Sequence, residues 1–355
     1  MKRGTAIIIA LFLVAAIAHG STKPRSKSER PAVIGYFLSV TPSKAEYPSA
    51  RRAAGVLTHI CPTRVAIADA EGNVKFGKDN YIIAVAKQNG IHMQPLVTNG
   101  EFSQEVGHAI LSDPAKRTKV IDQLLNVCKE WKATSINIDL ENIKADDRQL
   151  VNDFMKELCD KFHANHWGVT IDVAAKASDA PTAYWAGCYD YAYLGQVCDM
   201  VMIMAYDEHW SSGHAGPIGS LPWVRKVMEY ALTVIPKEKL VLGVPFYGYD
   251  WPEKGKARSV NHVKVQKLLA DKKIKLQWDN IGKSHWFEYT DDTGAKRTVY
   301  FESQNSLKAR IALAQELKLA GISIWCLGNE DPEFWNLLAR YREGKPVQWK
   351  ATSKP

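Results

Sequence analysis

Ser135-Ile136-Asn137-Ile138-Asp139-Leu140-Glu141-Asn142 is the stretch that decides the fold. Polar and apolar residues alternate strictly through it, which is the period of a β-strand. Ile136, Ile138 and Leu140 share one face. Asn137, Asp139 and Glu141 share the other, with neighbours on that face about 7 Å apart by strand geometry. Burying an amide and two carboxylates is costly unless they are paired or used. Two close carboxylates in different surroundings can divide their labour, one kept protonated and the other ionised. Cleavage of a glycosidic bond needs that division.

Outward from this run, short apolar stretches recur on both sides. Ala32–Phe37, Val65–Ala68 and Met93–Val97 precede it; Val169–Ala174, Met200–Tyr206, Leu240–Tyr247 and Gly321–Leu327 follow. Helical patterns lie between them, among them Arg117–Lys132, Arg148–His163 and Ser306–Leu319. Eight strand–helix alternations in one chain of 355 residues predict an α/β fold, a (β/α)8 TIM barrel. The competing α/β reading, a doubly wound open sheet, lacks its Gly-rich phosphate turn after the first strand. Residues 254–302 break the rhythm. A helix-like piece (Val260–Ala270) precedes Trp278, Trp286, Tyr289 and Tyr300, grouped around the turn Asp291-Asp292-Thr293-Gly294. This predicts a small α+β insertion bearing a hairpin after strand seven, on the C-terminal face of the barrel.

The ends have a different character. Lys2 and Arg3 followed by the apolar run Ala6–Ala18 and small residues at Ala16, Ala18 and Gly20 match a secretory signal peptide over 1–20, with a retained anchor as the alternative. A polar lead-in over 21–31, one domain over 32–345 and a tail over 346–355 complete the expected organisation. The net charge of +8 is spread along the chain, and is +6 without Lys2 and Arg3. That suits an exported protein near anionic polymers as well as a generic solvated surface. No nucleic-acid motif is present, and a monomer that inserts in no membrane once the signal is removed is expected. The six cysteines match no zinc spacing. Export permits disulfides, with Cys188–Cys198 and Cys128–Cys159 as candidate pairs, but buried free thiols fit their apolar settings equally.

In a barrel, reactive side chains come from C-terminal strand ends. Strand six puts Met202, Met204 and Tyr206 on one face and runs into Asp207, Glu208, His209 and Trp210. Strand seven ends in Phe246, Tyr247, Tyr249 and Trp251, and strand eight carries Ser323 and Trp325 on one face. Aromatic faces with a few hydrogen-bonding groups suit a sugar ring, although Trp325 and the methionines also fit a core. Asp207, Glu208 and His209 are adjacent in sequence and converge poorly on one ion, so neither a metal nor another cofactor is expected.

These residues resemble glycoside hydrolase family 18, the chitinase family, over nearly everything after Ala32. The family's strand-four signature, Asp-Gly-x-Asp-x-Asp-x-Glu, falls on Thr134, Ser135, Asn137, Asp139 and Glu141, so its last Asp and its Glu are kept. Met204, Tyr206 and Asp207 match the family's Met-x-Tyr-Asp, and Gly321 and Trp325 match strand eight. The departures, with Tyr-Asp-Glu-His-Trp, residues 216–224, Pro-Phe-Tyr-Gly-Tyr-Asp-Trp and Leu-Gly-Asn-Glu-Asp-Pro, are similar to the bacterial spore-cortex-lytic branch, whose members cleave peptidoglycan at N-acetylglucosamine.

The resemblance implies a secreted, retaining hydrolase of β-1,4-linked N-acetylglucosamine polymers. Glu141 would be the general acid, and the substrate's own N-acetyl carbonyl the nucleophile. Asp139 would stabilise the oxazolinium ion, Tyr206 would bond the acetyl oxygen, Asp207 would hold the sugar and Trp325 would form its floor. Asn137, Tyr247, Tyr36, Asn99 and Met204 complete the expected substrate-binding set. Asn137 is expected to donate to Asp139, and Asp172 on the inward face of strand five to interact with this pair or to be a solvated strand-end acid. Chitin or its oligosaccharides are the alternative substrate. A sugar-binding protein without catalysis is the alternative class, disfavoured by the presence of Glu141.

Overall fold

The computed structural model describes residues 30–38, 46–272 and 274–349. The expected signal segment, nearly all of the lead-in and the end of the tail lie outside those residues.

The alternating run becomes the strand Ser135–Asp139, the fourth of eight parallel barrel strands. Before it come Ala32–Phe37, a second strand in two pieces (His59–Pro62 and Val65–Ile67) and a third in two pieces (His92–Met93 and Leu96–Thr98). After it come Gly168–Ala174, Met200–Met204, Leu240–Pro245 and Gly321–Trp325. Each pairs in parallel with the next, and Ala32 pairs with Gly321, so the sheet closes on itself. The second strand begins six residues earlier than the apolar pattern of residues 65–68 indicates. Pro62 and the polar pair Thr63-Arg64 interrupt the apolar signal, and Gln94-Pro95 splits the third strand in the same way. Proline cannot donate to a ladder, so pairing resumes only beyond it.

Helices cover the outside of the barrel. Pro114–Trp131 starts three residues before the expected Arg117, because Asp113 caps it by accepting from the Ala115 N–H at 2.8 Å and Pro114 occupies its first turn. Arg148–Ala164 and Gln304–Glu316 are the other two expected helices; the latter opens on a Ser303/Ser306 capping box. Ile136 and Ile138 face this helical layer, with Val169, Ile171 and Val173 beside them on strand five. The opposite side of each strand faces the barrel interior. There Ile34, Tyr36, Leu96, Met202 and Val241 form a small apolar core. Mixed into it are the buried polar residues Gln94, Asn137, Thr170, Asp172 and Ser323. All six cysteines are buried and unbridged, so neither candidate disulfide is formed.

The insertion after strand seven begins at Gly248, earlier than the expected 254. It is a five-stranded antiparallel sheet with one helix, His262–Lys272. Its hairpin pairs Ser284–Thr290 with Lys296–Phe301, closed by the Asp291 N–H donating to the Ala295 carbonyl at 2.9 Å, with Gly294 at φ +84°. The aromatic run Tyr247 to Trp251 conceals the boundary, because it continues the hydrophobic pattern across the change of sheet. Gly248 marks that change. A Cβ there would lie 2.3 Å from the Tyr300 carbonyl oxygen and 2.6 Å from the Phe301 Cβ. Gly248→Ala should therefore lower unfolding free energy by about 1–3 kcal/mol, read from the urea midpoint.

Candidate active site

The pairing strands stop short of the residues with chemistry. Strand four ends at Asp139, Leu140 is buried, and Glu141 stands half-buried just past the ladder. Asn142, at φ +55°, then turns the chain away; asparagine tolerates that left-handed conformation. Strand six ends at Met204, followed by half-buried Tyr206 and exposed Asp207, the latter at φ +59°. Trp325 closes strand eight, half-buried, its ring 5.4 Å from that of Tyr36. Glu141, Tyr206, Asp207, Met204 and Trp325 thus stand at the C-terminal end of the barrel, with Asp139 beneath them at 3% exposure.

Burial pushes the Glu141 carboxyl from its ordinary 4.5 to about 7, and the Asp207 charge adds to the effect. Asp139 is pushed well above the usual carboxylate range, first by burial and then by the charges of Asp172 and Glu141. Its Oδ1 is buried and has no hydrogen-bond partner among the described residues. A buried carboxyl oxygen left unpartnered beside two other acids is poised for a donor or a cation from outside the protein. Tyr206 has a hydroxyl raised by burial and by the surrounding acids. Gly243 on strand seven makes room for it: a Cβ there would come within 3.1 Å of the Tyr206 ring and 2.4 Å of the Ile203 carbonyl.

Four residues of the expected substrate-binding set have their polar groups engaged by the protein itself. Asn99 is fully buried and clamps the Glu141 peptide from both sides. Its Oδ1 accepts the Glu141 N–H at 3.0 Å and its Nδ2 donates to the Glu141 carbonyl at 2.9 Å. Tyr247 is buried, and its hydroxyl donates to Asp207 at 2.6 Å. Tyr36 is buried at 2% exposure with its hydroxyl on Asp172. Asn137 does not donate to Asp139; its Nδ2 donates to Asp172, and its Oδ1 accepts from Thr170 Oγ1 at 2.6 Å. The reason is spacing. Side chains on adjacent strands approach at about 4.8 Å, whereas same-face neighbours along one strand are about 7 Å apart.

Some supporting residues were not apparent in the sequence. Tyr189 donates to the Leu140 carbonyl at 2.7 Å, and Gln94 Nε2 donates to Thr170 Oγ1 at 2.8 Å. Thr170 and Asp172 carry a readable signal, since they are the polar positions of an alternating strand; Gln94 and Tyr189 carry none. Glu208 and His209 are used in the loop itself. Glu208 accepts from the Ser220 N–H at the start of a helix, and a ring nitrogen of His209 meets the Pro217 carbonyl at 2.8 Å.

A family model described as glycosyl hydrolases family 18 matches residues 32–330. The chain belongs to that family. This family 18 hydrolase is 30% identical over 264 residues to the cortical fragment-lytic enzyme of Bacillus subtilis, a match covering 72% of the chain and 61% of the relative. It is 28% identical over 285 residues to human di-N-acetylchitobiase, covering 70% of each. The crystal structure of the Bacillus cereus spore cortex-lytic enzyme SleL superposes with a TM-score of 0.83 at 25% identity, over 90% of this chain and 76% of that one.

Asn99→Ala leaves a buried N–H and carbonyl unpaired, and should cost about 1–3 kcal/mol of unfolding free energy, measured by urea denaturation. A folded-state pKa of about 7 against 4.5 means the fold holds this proton more tightly than the unfolded chain does. The Glu141 contribution is therefore complete below its unfolded value and lost as pH rises through its folded value. Glu141→Gln should melt above the wild type at about pH 8, with the gap closing by about pH 4, as followed by calorimetry.

Proposed function

We propose that this family 18 chain hydrolyses β-1,4-linked N-acetylglucosamine in peptidoglycan, with retention, using the substrate's own N-acetyl group as the nucleophile. The observation that carries the reading is the unpartnered, buried Asp139 oxygen beneath half-buried Glu141. An acid that deep is poorly placed to attack an anomeric carbon, but well placed to receive an amide N–H. In this reading Glu141 protonates the leaving oxygen while the acetamido carbonyl oxygen attacks the anomeric carbon. Asp139 accepts the amide N–H and offsets the charge of the oxazolinium ion that forms. The Tyr206 hydroxyl donates to the acetyl oxygen, Asp207 holds the sugar, and Trp325 supports the ring. Glu141 then takes a proton from water, which opens the oxazolinium ion with net retention. Export through residues 1–20 belongs to the same proposal.

The names of the Bacillus relatives, cortical fragment-lytic and spore cortex-lytic, favour a cell-wall glycan. The similarity to di-N-acetylchitobiase favours the second reading, chitooligosaccharides. Mass spectrometry of products from purified peptidoglycan and chitin, side by side, separates the two. In either case Glu141→Gln should reduce the release of reducing ends by about 100- to 10,000-fold. Activity that survives the substitution would overturn the assignment of the acid. Binding without turnover in the wild type would mean a lectin. With Glu141 raised to about 7, kcat/KM should fall as pH rises through that value, because the acid loses its proton.

A further inference from the structure

Beside Asp139, on the neighbouring strand, lies a second buried acid for which the reaction above has no use. Asp172 is 3% exposed, on the inward face of strand five. Two donors from two other strands converge on it: the Tyr36 hydroxyl on Oδ1 and the Asn137 amide on Oδ2. Asn137 is itself fixed in orientation, since its Oδ1 accepts from Thr170 at 2.6 Å and Thr170 accepts from Gln94 at 2.8 Å. The chain of bonds starts at Cys61, whose thiol donates to Gln94. Every amide in it is oriented with its nitrogen towards an acceptor, and the last nitrogen is aimed at a carboxylate. Such a network favours an anion on Asp172.

We infer that Asp172 is a positioning residue of the site, a hydrogen-bonded anion on the neighbouring strand that keeps the proton on Asp139 while the site is empty. The inference rests on the role proposed above for Asp139. Two carboxyls close together in a dry interior do not both ionise, and the one with hydrogen-bond donors ionises first. Asp172 has two donors, and Asp139 Oδ1 has none among the described residues. The titratable groups acting on the pair are Tyr36 on strand one, Cys61 on strand two, Glu141 beyond strand four, Tyr189 beyond strand five and Tyr206 beyond strand six. All of them are neutral or negative, so none relieves the repulsion. Burial raises both acids, and on Asp172 the Tyr36 and Asn137 donors oppose that rise, whereas on Asp139 the charges of Asp172 and Glu141 add to it. A neutral Asp139 avoids a bare buried charge while the site is empty; when an amide N–H and a forming cation arrive, its proton passes to the neighbouring Asp172 carboxylate and Asp139 becomes the anion. Asn137 bonds Asp172 alone of the two acids and, as an amide, cannot take up or release a proton in their place.

The test is a carboxyl titration of the free protein, followed by NMR with 13C-labelled aspartate. The Asp139 and Asp172 resonances are identified by their loss in Asp139→Asn and Asp172→Asn. In the wild type, Asp172 should titrate below Asp139. In Asp172→Asn, the Asp139 midpoint should fall by about one pH unit or more, and the acid limb of kcat/KM on chitooligosaccharide should move the same way. Tyr36→Phe removes one donor and keeps the ring, so it should raise the Asp172 midpoint; it serves if Asp172→Asn does not fold. An Asp139 midpoint unchanged in folded Asp172→Asn, or an Asp172 midpoint unchanged in Tyr36→Phe, would overturn the inference. A wild type that titrates as described but cleaves neither glycan would instead overturn the proposed activity.

Discussion

Burying carboxylates is the constraint on which this structure depends. Three acids lie within or just above the barrel interior, and desolvation raises all of them. A charge is stable in such a place only where donors reach it. The barrel supplies donors unequally. Asp172 receives two, Asp207 at the rim receives the Tyr247 hydroxyl, and Asp139 Oδ1 receives none among the described residues. That inequality, more than the presence of acids, separates their roles. It leaves the deepest reactive group dependent on what a ligand brings.

The scaffold around Glu141 is built for position. Its peptide is clamped by Asn99, the carbonyl before it is held by Tyr189, and the turn after it is taken by Asn142, whose side chain bonds the Phe102 carbonyl and the Tyr184 hydroxyl. These contacts come from two different loops, after strands three and five, so a small shift in either is resisted by the other. The same economy applies at strand seven, where the missing side chain of Gly243 provides the space for the Tyr206 ring. Beyond it, the insertion keeps its own apolar core and its own buried ion pair, with Asp250 at 1% exposure held by Arg297 at 2.6 Å. Tyr247 and Trp251 join it to the rim of the site.

Much of this was legible in the residues. The alternation in 135–141 announced a strand with its polar face turned one way, and strand four has that orientation. The apolar runs placed the barrel strands in order, and the turn at 291–294 placed the hairpin. Boundaries were less legible where proline split a strand or where aromatics ran across a change of sheet. The candidate residues were brought together at one end of the barrel, but Tyr36, Asn99, Asn137 and Tyr247 support other side chains there, with their polar groups already engaged. Residue type and strand end point to a site without saying which layer of it a side chain occupies.

The sequence by itself determined the period of each element, the face on which each polar group lies and the kinship with family 18, because these depend on neighbours along the chain. Only the tertiary structure decided partners. Asn137 is two residues from Asp139, yet its amide goes to Asp172 on the next strand, and Glu141 is held by Asn99 from a different loop. The physical reason is that adjacent strands in a sheet bring side chains closer than a strand brings its own. The charge arrangement of the site is therefore set across the barrel wall.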